Sequence, residues 1–252
     1  MIRDFWAKHD INYRVFSHFC DSEDWHNILK SIAAQFRWDD GLSRSVLDVG
    51  AGTGINTTAL MEILYAQQNC RHFVSTLEPS AKARERIEHN IIYEKDGGFL
   101  RDIFATYSEL NGRKFDAIVF LHSSYYVTDF EQQLTQLYRD NLYEGGVIVI
   151  VTLSRDSPFF LGYPPSVPNT AESITQWIKA VGFKYDVKIL PSHFRLPQGL
   201  APDQKLFDHL FSFICDHTQI DASDFNARLA THLISGDRNG VDLKDRLIVL
   251  SK

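Results

Sequence analysis

The sequence predicts an α/β fold: a doubly wound sheet, mostly parallel, with an antiparallel edge strand and a helical cap. Three observations predict it. Short apolar runs alternate with helix-period segments through five units, and parallel neighbours of this kind need a covering crossover. The first apolar run ends in a glycine-rich turn, Gly50-Ala51-Gly52-Thr53-Gly54, which opens a helix. Two late apolar runs, 184–190 and 246–250, read as an antiparallel edge pair.

The elements follow in order. The first 40 residues are aromatic, with Phe5, Trp6, Tyr13, Phe16, Phe19 and Trp25. Within them Trp25, Ile28, Leu29 and Ile32 stand at helical spacing, with Asp21 or Ser22 as N-cap. This helix packs on the sheet or serves as a lid over a ligand pocket. Ser45 to Val49 is strand one; Ala59, Leu60, Ile63 and Leu64 form one face of the next helix. His72 to Leu77 is strand two, followed by Glu78-Pro79-Ser80 and a helix from Ala81 to His89. Gly97-Gly98 precedes a third strand near Leu100 to Phe104. Phe115 to Leu121 is a near-continuous apolar run, as a strand covered on both faces requires. Phe130, Leu134, Leu137 and Tyr138 mark a helix closing at Gly145-Gly146, and Val147 to Leu153 is strand five.

After strand five the rhythm changes. Residues 156–169 are rich in Pro, Gly and aromatics and read as a loop. A helix spans Glu172 to Val181 with Gly182 as its stop signal, and Lys184 to Leu190 is strand six. Helices are expected after Pro202-Asp203 (Phe207, Leu210, Phe211, Ile214) and from Asp224 to Leu233, before the last strand at 246–250. A chain of 252 residues suits one large domain. Residues 45–190 and 241–252 form its core, 1–44 an N-terminal helical cap, and 191–240 a helical insertion that adds to the cap.

Composition narrows the function. The net charge of -6 and the lack of a basic stripe argue against nucleic acid as partner. No apolar run is long enough to span a bilayer, so no membrane partner is expected. Cys20, Cys70 and Cys215 lie far apart without CxxC spacing. With the polar start Met1-Ile2-Arg3-Asp4 they predict a reduced, cytoplasmic location. The histidines show no metal-ligand spacing, so no metal is expected. No G-x-S-x-G elbow for a serine hydrolase occurs.

The glycine turn carries chemistry. Glycines at 50, 52 and 54 let the backbone turn sharply and approach a ligand closely. A nicotinamide turn would place its third glycine at position 55, which is Ile55. Asp48 is a carboxylate at a strand end, costly there unless it accepts hydrogen bonds from turn amides or a ligand ammonium. Glu78 ends strand two, where an acid takes both hydroxyls of a ribose. The combination predicts an adenosine-type cofactor.

The run Val46-Leu47-Asp48-Val49-Gly50-Ala51-Gly52-Thr53-Gly54, with Glu78 downstream, resembles the first two motifs of class I S-adenosylmethionine (SAM)-dependent methyltransferases. The resemblance covers roughly residues 45–153 and implies a Rossmann-like fold with SAM as cofactor and S-adenosylhomocysteine as product. It implies that Gly50, Gly52 and Gly54 cradle the methionine part and Glu78 the ribose. It also implies an adenine contact near Ala105, Thr106 or Tyr107. More narrowly, Leu77-Glu78-Pro79-Ser80, the run His122-Ser123-Ser124-Tyr125-Tyr126-Val127-Thr128-Asp129 and Val15-Phe16-Ser17-His18-Phe19 are similar to segments of histamine N-methyltransferase-like proteins. That likeness implies an aromatic amine pocket lined by Tyr125 and Tyr126; His122 stands where that group has Gln.

Methyl transfer from a sulfonium is an in-line displacement that needs alignment and exclusion of water. Aromatic faces suit its cationic groups. Phe19, Tyr125, Tyr126, Phe159, Phe160 and Tyr163 are the candidate walls. His122 and Tyr126 are the candidate catalytic residues, with His122 acting as base or orienter, or else meeting the cofactor through its backbone at the strand end. The expected acceptor is a small molecule or peptide, with an amine nitrogen favoured. The alternatives are a hydroxyl oxygen and a non-catalytic SAM- or nucleotide-binding protein. A nucleic-acid base is a further rival, but the Asn/Asp-Pro-Pro-aromatic run of such enzymes is replaced by His122-Ser123-Ser124-Tyr125.

Overall fold

The structure, a computed structural model, describes residues 20, 22–36, 38, 40–68, 72–91, 98–160, 169–195 and 240–252. The sheet strands are β1 (Ser45–Val49), β2 (His72–Leu77), β3 (Gly98–Phe104), β4 (Phe115–Leu121), β5 (Leu142–Leu153), β6 (Tyr185–Leu190) and β9 (Asp245–Ser251). They form a seven-stranded sheet in the order β3-β2-β1-β4-β5-β9-β6. The pairs from β3 through β5 are parallel, and β9 runs antiparallel to both β5 and β6. The expected antiparallel edge is therefore present, with the last strand of the chain inserted inside the edge strand.

Two apolar layers cover the sheet, because alternate strand residues point to opposite faces. On one face Val46, Val74, Ala117, Val119, Val149 and Val151 pack with helix α1 (Ser22–Ala33), α2 (Ile55–Gln68) and α3 (Ala81–Asn90). Helix α1 buries Ile28, Leu29, Ile32 and Ala33, which fits the helical spacing. On the other face Leu47, Val49, Ile118, Phe120, Ile148 and Ile150 pack with helix α4 (Phe130–Gln136) and α5 (Ala171–Val181). Gly182 ends α5 in the left-handed region at φ 83°, so its amide reaches the Ile178 and Lys179 carbonyls.

The structure corrects one boundary. The Gly145-Gly146 pair does not close a helix: α4 passes into a π-helical turn over Leu137–Asn141, and β5 already begins at Leu142. A Cβ at Gly146 would lie 2.9 Å from the Asp116 carbonyl oxygen and 2.9 Å from that of Tyr143. The glycine admits a close backbone approach where the β4–β5 register shifts between Phe115 and Ala117. It marks an irregularity within a strand.

A second, two-stranded sheet joins β7 (His193–Arg195) to β8 (Gly240–Asp242), at the two ends of the segment expected as an insertion. Cys20 makes an isolated bridge to Phe194 of β7. The two helices expected after 202 and from 224, the aromatic residues from Phe5 to Phe19, and Tyr163 lie outside the described residues, as does the side chain of Phe159. No described helix is long and apolar enough to cross a membrane.

Candidate active site at the carboxyl ends of β1 and β4

Strand β1 is followed in sequence by β2 on one side and flanked by β4 on the other, so the order reverses between β1 and β4. Open α/β sheets bind ligands at that point, beyond the carboxyl ends of the strands. The glycine turn sits there. Gly50, Gly52 and Gly54 all adopt positive φ, at 75°, 59° and 81°. A Cβ on Gly50 would come within 2.4 Å of the Ser123 Cβ, so the turns after β1 and β4 close directly on each other. Ser123 Oγ reinforces the contact by donating to the Val49 carbonyl.

Two buried carboxylates frame this turn. Asp48 is 1% exposed; its Oδ2 accepts from Thr57 Oγ1 of α2 at 2.6 Å, and its Oδ1 has no partner. Burial pushes its pKa up to about 7, with the Thr57 hydrogen bond opposing part of the rise. Glu78 is also buried. Its Oε2 accepts from the Gly52 amide at 2.9 Å and its Oε1 from the Ser80 amide at 2.9 Å. Ser80 in turn caps α3 by accepting from Ala83 N. Gly50 N donates to the Leu77 carbonyl at 2.7 Å, which fastens the turn to the end of β2. Thr106, the residue expected near an adenine, is exposed, with its hydroxyl in a local network with Ser108 Oγ at 2.9 Å and Glu109 Oε1 at 3.1 Å.

Beyond β4 the chain turns through His122 at φ 53°, an uncommon conformation for a residue with a Cβ. The His122 amide donates to the Val151 carbonyl at 3.0 Å, which carries the β4–β5 pairing one residue past the end of β4. Its imidazole has neighbours as well. Nδ1 lies 3.2 Å from the Tyr125 hydroxyl and Nε2 lies 3.5 Å from Asp245 Oδ2. The Tyr125 hydroxyl accepts from the Leu153 amide. Burial, then the Asp245 charge, pushes the Tyr125 phenol well above its ordinary pKa, so it stays protonated. Tyr126 packs edge-on against Tyr125, as does Phe160.

Helix α1 roofs this region. Trp25 Nε1 donates to Asn56 Oδ1 at 2.9 Å, at the start of α2, and the Trp25 ring lies 5.4 Å from that of His122. His193 Nδ1 of β7 meets Asp24 Oδ2 at 2.6 Å. The structure thus brings Asp48, Gly50, Gly52, Gly54 and Glu78 into one cradle, and sets His122, Tyr125 and Tyr126 beside it. Sequence reasoning missed Asp245. Its one signal was a charge at the head of a buried strand, which nothing local distinguishes from the turn charges Asp242 and Lys244.

Chemically, the cradle offers a bound molecule close backbone approach, acid oxygens for hydroxyl or ammonium groups, and an aromatic roof. The profile of the methyltransferase-domain family matches residues 25–187. Among solved structures, the chain is similar to the plantazolicin methyltransferase BpumL in complex with SAH, at TM-score 0.56 and 13% identity, covering 98% of this chain and 90% of that one. It is similar to the plantazolicin methyltransferase BamL in complex with a triazolic desmethylPZN analog and SAH, at TM-score 0.57 and 15% identity, covering 98% and 91%. It also resembles the CurJ carbon methyltransferase, at TM-score 0.56 and 14% identity, covering 96% of this chain and 58% of that one. No curated protein sequence matches the chain.

Proposed function

The chain belongs to the methyltransferase-domain family, and on that premise we propose that it transfers a methyl group from SAM to an amine nitrogen of a small molecule or peptide. The observation that carries the reading is the cradle around Gly50. A positive-φ turn too tight for a Cβ lies between two buried carboxylates, one of them with an unpartnered oxygen. Such a site fits SAM. Gly50, Gly52 and Gly54 would hold its methionine part, Asp48 would face its ammonium, and Glu78 would take the ribose hydroxyls. Thr106 lies on the loop after β3, on the adenine side.

When bound, SAM supplies an activated methyl on a sulfonium. The residues of this chain then have two tasks. Tyr125, Tyr126, Phe160 and Trp25 form aromatic walls that exclude water and favour cationic groups. Phe19, Phe159 and Tyr163 are assigned to the same wall from their sequence positions. His122 takes the proton that an ammonium must lose before its nitrogen attacks. We read 1–44 and 191–240 as the cap over a core of 45–190 and 241–252. The negative net charge disfavours a nucleic-acid acceptor.

The neighbouring plantazolicin methyltransferases form complexes with desmethylPZN analogs, and this supports a small-molecule or peptide acceptor here. The direct experiment incubates the protein with methyl-labelled SAM and a metabolite and peptide extract, then identifies the labelled product by mass spectrometry. Label on nitrogen is the expected result, and label on oxygen replaces the amine with a hydroxyl acceptor. Tyr126→Ala should lower turnover at least tenfold while leaving SAM affinity within about twofold. An unchanged rate removes Tyr126 from the wall.

A further inference from the structure

We propose that Asp245 is the acceptor's anchor: its carboxylate, with His122 Nε2 beside it, receives a cationic ammonium group of the substrate. This rests on the methyltransferase reading above and names the substrate class for the same site.

Asp245 is 1% exposed, and its Oδ1 has no hydrogen-bond partner. In the sheet it stands opposite Leu153 of β5 and Leu190 of β6, both buried leucines. A carboxylate in such a place is expensive unless it is paired. The basic residues beside it in sequence do not pair with its side chain. Arg246 Nη1 donates to the Asp245 backbone carbonyl at 3.0 Å, and Lys244 Nζ lies 3.1 Å from Asp242 Oδ2. Asp245 caps no helix, and among the described residues the one basic side chain within 4 Å of its carboxylate is the His122 imidazole.

That contact is incomplete. The His122 Nε2 to Asp245 Oδ2 separation of 3.5 Å is longer than an N–H···O hydrogen bond. On its other side the imidazole has Nδ1 at 3.2 Å from the Tyr125 hydroxyl, a group that also accepts from Leu153 N. Thr152 Oγ1 donates to the Asn169 carbonyl and so accepts the Tyr125 phenol proton, which assigns the imidazole proton to Nδ1, donated to the Tyr125 oxygen, and turns the Nε2 lone pair to the carboxylate. Two acceptors then oppose each other across a gap, and what satisfies both is a positively charged group with several N–H donors. An ammonium has these properties, whereas a hydroxyl offers one proton and no charge.

The surroundings agree. The Asp245 charge helps to hold the Tyr125 phenol and the Cys20 thiol in their neutral forms, in each case after burial, so no second anion competes at the site. The Trp25 ring, which lies against His122, adds a cation-attracting face. The proton balance closes here too. The bound R–NH3⁺ gives one proton to His122 Nε2 and becomes R–NH2. The imidazolium that forms is stabilised by Asp245. The free amine attacks the sulfonium methyl, the S–CH3 bond breaks as the N–CH3 bond forms, and the product leaves as a methylammonium.

The test uses the full chain saturated with S-adenosylhomocysteine and two isosteric pairs of probes: phenethylamine against phenethyl alcohol, and butylamine against butanol. Calorimetric titration should show at least one amine binding at least tenfold more tightly than its alcohol. Asp245→Asn should abolish that preference and leave S-adenosylhomocysteine affinity within about twofold. Thermal unfolding gives an independent reading. An anchoring carboxylate unpaired in the free protein predicts a melting temperature for Asp245→Asn no lower than that of the parent. Equal affinity for amines and alcohols in the parent chain overturns the proposal, as does a preference that survives in Asp245→Asn. A clear drop in melting temperature does so as well, since Asp245 would then be a structural residue. Failure to bind S-adenosylhomocysteine at all would instead refute the cofactor reading, and this inference with it.

Discussion

The Glu78 carboxylate accepts from the Gly52 amide at 2.9 Å, so the acid after β2 and the turn after β1 form one hydrogen-bonded unit. The second Glu78 oxygen holds the Ser80 amide at the head of α3. One buried side chain thereby ties the glycine turn to the start of the next helix. Glu78→Ala leaves both amides without that acceptor, at about 1–3 kcal/mol each. Its melting temperature should fall by several degrees and SAM affinity by at least tenfold, read by calorimetric titration. Glu78→Gln should lie between the two, since its amide keeps one acceptor oxygen and places an NH2 against a backbone N–H. SAM affinity unchanged in both variants would separate Glu78 from the ligand.

Two glycines of similar φ provide a controlled comparison. Gly50 (φ 75°) has Ser123 Cβ 2.4 Å from where its own Cβ would be; Gly112 (φ 73°) has nothing within 4 Å. Gly112→Ala should cost only the left-handed backbone penalty, about 1 kcal/mol. Gly50→Ala adds overpacking at the junction of the two strand ends, for a total of about 3 kcal/mol or more. Urea unfolding should give that ranking. SAM binding should be lost in Gly50→Ala and retained in Gly112→Ala.

Asp48 predicts a pH dependence with a definite sign. Burial raises its pKa in the folded chain from 3.8 to about 7. The folded state therefore binds this proton more tightly than the unfolded state does. The stability it contributes is fully present below about pH 4 and is lost as pH rises through about 7. Urea unfolding at several pH values should show the parent chain losing stability across this window relative to Asp48→Asn, on the order of 2–4 kcal/mol in all. A ligand ammonium beside Asp48 favours the carboxylate. SAM affinity should therefore rise with pH through about 7 in the parent and lose that slope in Asp48→Asn. Parallel pH profiles for the two proteins would remove Asp48 from both effects.

Much of the sheet was legible because strand and helix signals are local. The run Phe115 to Leu121 contains six apolar residues around a single Asp116, and that acid is the one residue of the run that points to a polar partner, accepting from Ser45 N at 2.8 Å. Gly182 stopped its helix where a C-terminal glycine should. Gly145-Gly146 misled for a physical reason. A glycine pair after a helical period reads as a stop, yet here Gly146 answers to a carbonyl on the neighbouring strand. Nothing nearby in the chain announces a neighbour 30 residues away. The β7–β8 pair was missed likewise, since two three-residue strands at the ends of a long segment carry no periodicity.

The cradle and the cluster around His122 differ in the same way. That Asp48, the three glycines and Glu78 lie together was readable from sequence alone, because a strand end, the tight turn after it and the acid ending the neighbouring parallel strand meet at one edge of the sheet. What the tertiary structure decided is the company of His122. Its neighbours Trp25, Tyr125 and Asp245 come from a helix before the sheet, the turn after β4 and the last strand of the chain. Asp245 reaches His122 because β9 inserts antiparallel between β5 and β6, which brings the amino end of the last strand to the carboxyl end of β5. Local pattern specifies which segments become strands. Only the order and direction in which they pair determine which side chains meet.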